Sequence, residues 1–347
     1  VESQTFRTVI PQDTMCSFKV AAVNAGGESF PSEILSVGRA SRSKGTVLIV
    51  NGFDRISAPA DFIDPEDSLR AGFLDYEDHG VAYLKDISYT GKMNVFDRSA
   101  EFVSNDETGF GNSESDYETT VIAGNRFDYP ALHGAAVLRA GYSFTSCSNE
   151  AVSHRSVSLN QYQFVDLILG KQYRSKIGRG GIYPLEFATF DHDMQNVIEA
   201  YCAQGGNLFV SGAFVASDLW NNRYVQPNET DQRFTQQVLK FKWEKSNAAH
   251  EGKIESEDAG YSLFSGNFTY YNKLNDKSYA VEAPDAIRPV GKGAEIVLRY
   301  AENGLGAGIA YKGPYKIVVW GFPFESIREE QARDLLMEKI LNFFNAD

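Results

Sequence analysis

The sequence predicts an α/β protein in which a mainly parallel sheet is wound with helices on both sides, preceded by a short all-β segment. Three observations predict it. Five apolar runs lack the alternation of a half-exposed strand: Thr46–Val50, Ser143–Ser146, Phe164–Gly170, Asn207–Ser211 and Lys316–Gly321. Runs of this kind suit strands buried on both faces of a parallel sheet. Between the third and fourth runs, Phe190, Met194, Val197, Ile198 and Tyr201 recur at helical spacing. A second amphipathic stretch closes the chain, with Ala332, Leu336, Ile340 and Phe343 on one face. Strands alternating with helices imply right-handed βαβ units.

The elements follow in order. Residues 1–40 read as β: Thr5–Ile10 alternate, Pro11-Gln12-Asp13 turn, and Cys16–Val23 alternate again with Phe18, Val20 and Ala22 on one face. Ser41–Gly45 is a polar linker, so the α/β domain runs over 46–347. From Ser57 to Phe127 the chain is rich in Asp, Gly and aromatics, with short apolar runs only at Val81–Leu84 and Val121–Ala123. An insertion this long carries its own structure or a function. It leaves the first strand at its carboxyl end, where it is expected to wall a cleft; the alternative is that it stiffens the junction with residues 1–40. Asp191 caps the central helix and Gly205-Gly206 ends it. Glu295–Tyr300 and Gly306–Tyr311 flank Asn303-Gly304 as a hairpin. Ser326-Ile327-Arg328-Glu329 has the spacing of a capping box.

Composition bounds the function. The 347 residues suit two domains, one of them large. With 46 acidic and 33 basic residues the net charge is −13, which opposes nonspecific binding to nucleic acid or anionic lipid. No apolar run reaches the roughly 18 residues of a membrane span. Cys16, Cys147 and Cys202 are widely separated, which predicts neither a disulfide framework nor a zinc or redox pair. Five scattered histidines show no metal-binding spacing, and no cofactor motif is present. Gly178–Gly181 does not follow a phosphate-loop pattern. The chain starts within a strand pattern, suggesting a piece of a longer exported protein with upstream domains.

Two resemblances sharpen this reading. Ser17–Ser29, with Pro31-Ser32-Glu33, resembles the last two strands of a fibronectin type III domain, with Cys16 where that family usually carries Tyr. Val165–Gly170, then Ala200–Gly212, and Val318–Ile327 with the closing helix resemble the class I glutamine amidotransferase-like (flavodoxin-like) fold in its non-amidotransferase branches. With Val50–Ser57, the arrangement looks like bacterial secreted proteins labelled xanthan lyase or N-acetylmuramoyl-L-alanine amidase. The resemblance implies a secreted, periplasmic or cell-surface setting and a carbohydrate or peptidoglycan ligand. It departs from active amidotransferases at Phe209-Val210-Ser211-Gly212-Ala213, where no Cys stands, and no His-x-Glu pair follows.

In open α/β sheets, ligands bind beyond the carboxyl ends of the strands. That places Asn51, Asp54 and Arg55, then Ser146, Cys147 and Glu150, then Lys171 and Gln172, then Ser211, Ser217 and Asp218, and finally Glu325 at the candidate site. Cys147 is either a nucleophile needing His133, His154 or His192 as base, or a small half-buried residue. Ser211 lacks the leading Gly of a nucleophile elbow. Asp54 beside Arg55 orients a substrate hydroxyl or caps a helix. Asp64, Glu66, Asp67, Asp75, Glu77, Asp78 and His79 form an acidic cluster without calcium-loop spacing. Two functions fit: an accessory glycan- or cell-wall-binding module without amidotransferase activity, or a hydrolase of such material acting through Cys147 or Ser211.

Overall fold

The computed structural model describes residues 5–25, 27–28, 32–53, 61–63, 70–73, 94–97, 128–176, 185–257, 261–273, 275 and 277–346. Asp54, Arg55, the acidic cluster, Gly178–Gly181 and most of the 57–127 insertion lie outside them. Within the insertion, Asp61–Ile63, Arg70–Phe73 and Asn94–Asp97 pair as a separate three-stranded antiparallel sheet.

The elements that position the site are β1 (Thr14–Phe18), β2 (Leu35–Arg39), β3 (Thr46–Asn51), α1 (Tyr129–Arg139), β4 (Ser143–Ser148), α2 (Asn149–Ser153), β5 (Phe164–Gly170), α3 (His192–Ala203), β6 (Asn207–Gly212) and α4 (Ser217–Trp220). They continue with β7 (Lys253–Ser256), β8 (Asn267–Thr269), β9 (Ala294–Tyr300), β10 (Gly306–Lys312), β11 (Lys316–Trp320) and α5 (Glu330–Asn345). All eleven strands belong to one mixed sheet in the order β1-β2-β4-β3-β5-β6-β11-β10-β9-β7-β8. The five apolar runs expected in one mainly parallel sheet lie in it: β4, β3, β5, β6 and β11 pair side by side in parallel. The expected hairpin is β9–β10, which continues the sheet antiparallel beyond β11.

Alternate residues of the parallel strands feed two cores. Val47, Ile49, Phe164, Ile168, Phe209, Val318 and Trp320 pack with α1 and α5; Leu48, Val50, Val165, Leu167, Leu208, Val210, Ile317 and Val319 pack with α2 and α3. Burial on both faces is why these strands read as unbroken apolar runs. The central helix starts and stops as its sequence dictates. The Asp191 carboxylate accepts from the Met194 N–H at 2.7 Å, and Gly205, at φ +86°, permits the paired bonds Gly206 N–H to Tyr201 O and Gly205 N–H to Cys202 O.

Three expectations are corrected. The N-terminal strand is Thr14–Phe18, not Cys16–Val23, and Thr5–Ile10 form no strand. Asp13, at φ +54°, accepts from Ser41 N–H, which starts β1 there, while Val20 N–H turns aside to the Ser32 hydroxyl and leaves Val20 62% exposed. β1 and β2 are continuous with the main sheet, with β2 antiparallel to β4 and the Ser146 hydroxyl bonded to both backbone groups of Ser36. Ser326 and Glu329 make no capping box. Ser326 lies in the preceding 3-10 turn and donates to Pro323 O, while the Glu329 carboxylate is drawn to the Thr269 hydroxyl at 2.8 Å.

Candidate functional site

The change of direction in the strand order falls between β3 and β5. At their carboxyl ends the two chains are pressed together: Gly52 N–H donates to Ile168 O at 2.8 Å. Gly170 sits at φ +47°, and a Cβ there would lie 2.2 Å from the Phe53 ring, so only glycine fits the turn. The turn places Lys171 and Gln172, both buried, just beyond the carboxyl end of β5. Phe53, Tyr129 and Tyr279 meet there with ring centroids 5.3–5.5 Å apart.

One irregular segment, 277–285, crosses these strand ends and is pinned three times. The Tyr279 hydroxyl donates to Glu325 Oε1 at 2.7 Å, the Glu282 carboxylate receives Lys171 Nζ at 2.8 Å on both oxygens, and Asp285 Oδ2 accepts from Ala216 and Ser217 N–H at 2.9 and 2.6 Å. Burial pushes the Asp285 carboxyl up to about 7, against the lowering effect of those two N–H donors. No sequence motif marks this segment.

Beneath it lies a second feature that the sequence does not announce. His133 on α1 places Nδ1 2.8 Å from Asp166 Oδ2 of β5 and Nε2 3.2 Å from Glu325 Oε2, all three buried. Burial pulls the imidazole down, but the two carboxylates outweigh it and raise His133 to about 9. The available signal was Asp166 itself, a lone charge inside an apolar strand, which requires a buried partner.

The candidate nucleophiles are not armed. Cys147, the penultimate residue of β4, is 7% exposed and has its thiol pushed up to about 12 by burial and by Glu33. Ser211 is fully buried, and among the described residues its Oγ has no hydrogen-bond partner. Among the described residues no histidine reaches either atom: His133 is committed to Asp166 and Glu325, His154 is the C-cap residue of α2, and His192 opens α3 as expected.

The binding candidates divide. Asn51 is buried and donates to the Glu33 carboxylate; Glu150 is exposed in the first turn of α2. Asp218 is not a ligand-facing group but a buried hub accepting from Arg174 N–H, Thr189 N–H and hydroxyl, and the Asn222 amide, its pKa raised by burial. Glu325 is likewise enclosed. Ser217 lends its backbone N–H to Asp285. Lys171 is the candidate whose partner, Glu282, is open to solvent at 54%. Among the described residues no group of three or more His, Cys, Asp or Glu could hold a metal ion, and no helix is long and apolar enough to cross a membrane.

No protein-family model matches the chain, and no curated protein matches its sequence. Solved structures with partial likeness include an exo-β-1,4-mannosidase, Op5Man5, from Opitutaceae bacterium strain TAV5, at 12% identity and TM-score 0.36 over 62% of this chain and 31% of that one. A candidate GMP synthase component from Thermoplasma acidophilum matches at 12% identity and TM-score 0.35, over 60% of this chain and 85% of that one. The N-terminal domain of mmIFT52 matches at 11% identity and TM-score 0.39, over 61% and 89%. The chain thus spans about a third of the mannosidase, and likenesses this distant assign it no activity.

Proposed function

We propose that this chain is a glycan- or cell-wall-associated accessory module of an extracytoplasmic protein, binding its ligand at the carboxyl edge of the parallel strands and lacking glutamine amidotransferase activity. The observation that carries the proposal is that, among the described residues, neither candidate nucleophile has a base. A thiol raised to about 12 and a sealed hydroxyl supply no attacking group near neutral pH, so the hydrolase alternative lacks its first step. Strand order is further support. The parallel set β4-β3-β5-β6-β11 is the second, first, third, fourth and fifth strand in sequence, the flavodoxin-like order, with apolar cores on both faces. This agrees with a doubly wound, amidotransferase-like unit whose ligands sit at the β3/β5 crevice. The fibronectin-like motif and the secreted setting rest on the sequence resemblance.

The test is a calorimetric screen of the whole chain against peptidoglycan fragments and acidic polysaccharides, paired with chromatography of the same mixtures. Saturable binding without product supports the module. Turnover that disappears in Cys147→Ser or Ser211→Ala would establish the hydrolase instead.

A further inference from the structure

We infer that Lys171 is a carboxylate-binding residue, and that the Glu282 side chain holds its place until a ligand carboxylate displaces it. This rests on reading the strand-end crevice as the binding face and names the chemistry recognised there.

The pair is asymmetric. Lys171 is 6% exposed and Glu282 54%, with Nζ 2.8 Å from each carboxylate oxygen. A buried ammonium cannot be left without a counter-charge, whereas a half-exposed carboxylate regains water when it swings away. Exchange of Glu282 for another anion is therefore tolerated, and exchange for a neutral group is not. Both Glu282 oxygens contact the same nitrogen, and a ligand carboxylate presents the same two-oxygen face in their place.

The backbone permits the exchange. Tyr279 and Asp285 hold the segment on either side of Glu282, and Val281 N–H donates to Tyr271 O at 2.7 Å. Rotation of the Glu282 side chain alone frees Lys171 while those bonds remain. The position is also where a ligand would arrive, one residue beyond β5 at the reversal of strand order. A single lysine in a chain of net charge −13 suits a ligand presenting one carboxylate rather than a dense polyanion. A uronic acid and the C-terminal carboxylate of a short peptide share that chemistry.

The test uses the full chain, with Glu282→Ala and the double variant Lys171→Met/Glu282→Ala. Sodium glucuronate, D-alanyl-D-alanine and glucose are titrated by calorimetry, and thermal melts are recorded with and without sodium acetate. Glu282→Ala is expected to bind glucuronate or the dipeptide at least tenfold more tightly than the wild type, and the better of the two identifies the source. Glucose should not bind, acetate should raise the melting temperature of Glu282→Ala, and the double variant should lose both effects. Equal responses of single and double variants, including no response from either, overturn the inference. Glucuronate or dipeptide binding that survives in the double variant overturns it while leaving the module reading intact. Acetate rescue without any glycan or cell-wall binding supports the lysine site and counts against the module.

Discussion

His133 Nδ1 lies 2.8 Å from Asp166 Oδ2, and the same ring turns Nε2 to Glu325, so one buried imidazolium joins α1, β5 and the turn after β11. Its folded pKa of about 9 stands above the ordinary value of 6.5. The folded state therefore holds a proton that the unfolded state releases. The stabilisation is complete below pH 6.5 and is lost as pH rises to 9. A shift of this size corresponds to on the order of 3 kcal/mol. Urea denaturation from below the ordinary pKa to above the folded one should show that decline. His133→Gln should lack it while being less stable in the acidic part of that range, because two buried carboxylates lose their counter-charge. A His133→Gln profile parallel to the wild type would contradict this.

Asp285 gives its own contribution to the pH dependence. Its folded pKa, about 7, is above the ordinary 3.8, so the folded state takes up a proton first as pH falls. Its contribution to stability is complete below 3.8 and is lost as pH rises to about 7, above which the buried charge is a cost. Asp285→Asn keeps an oxygen for Ala216 and Ser217 N–H and removes the charge. It should match or exceed wild-type stability in mildly alkaline buffer, with that part of the pH dependence gone. A loss of more than about 2 kcal/mol there would mean that the carboxylate stabilises the fold.

Cys147 and Cys202 are buried with thiols raised to about 12, whereas Cys16 is partly exposed on β1. Iodoacetamide in mildly alkaline buffer should label Cys16 in the native protein and all three cysteines only after denaturation. Rapid native labelling of Cys147, read by peptide mass spectrometry, would reopen its role as a nucleophile.

The closing helix α5 buries Leu336, Met337, Ile340, Leu341, Phe343 and Phe344. Ile340 is fully enclosed, so Ile340→Ala should cost about 2–5 kcal/mol in denaturant melts. A change below about 1 kcal/mol would show that this face can collapse around the gap.

The parallel strands were legible because burial on both faces leaves an unmistakable composition, as in Thr46–Val50. The ends of α3 were legible because Asp191 and Gly205 act locally. The capping box failed for the complementary reason: Thr269, 60 residues away, competes for Glu329. The site was only half legible. Topology placed Lys171 at the crevice, but its partner Glu282 sits 111 residues on in an irregular segment. His133 stood out only as a possible base, since its bonds to Asp166 and Glu325 depend on three separate elements meeting. For Cys147 the sequence left a nucleophile and a small half-buried residue open, and its burial favours the second.

Whether the strand-end crevice binds without cleaving is tested most directly by following heat and product in one experiment. The chain is titrated with the best ligand of the screen while the mixture is sampled by chromatography for a day. A saturating isotherm is expected in the wild type, with a loss of at least tenfold in affinity in Lys171→Met and no product in either. Product formed by the wild type and abolished by Cys147→Ser or Ser211→Ala, with Lys171→Met unchanged, would contradict it.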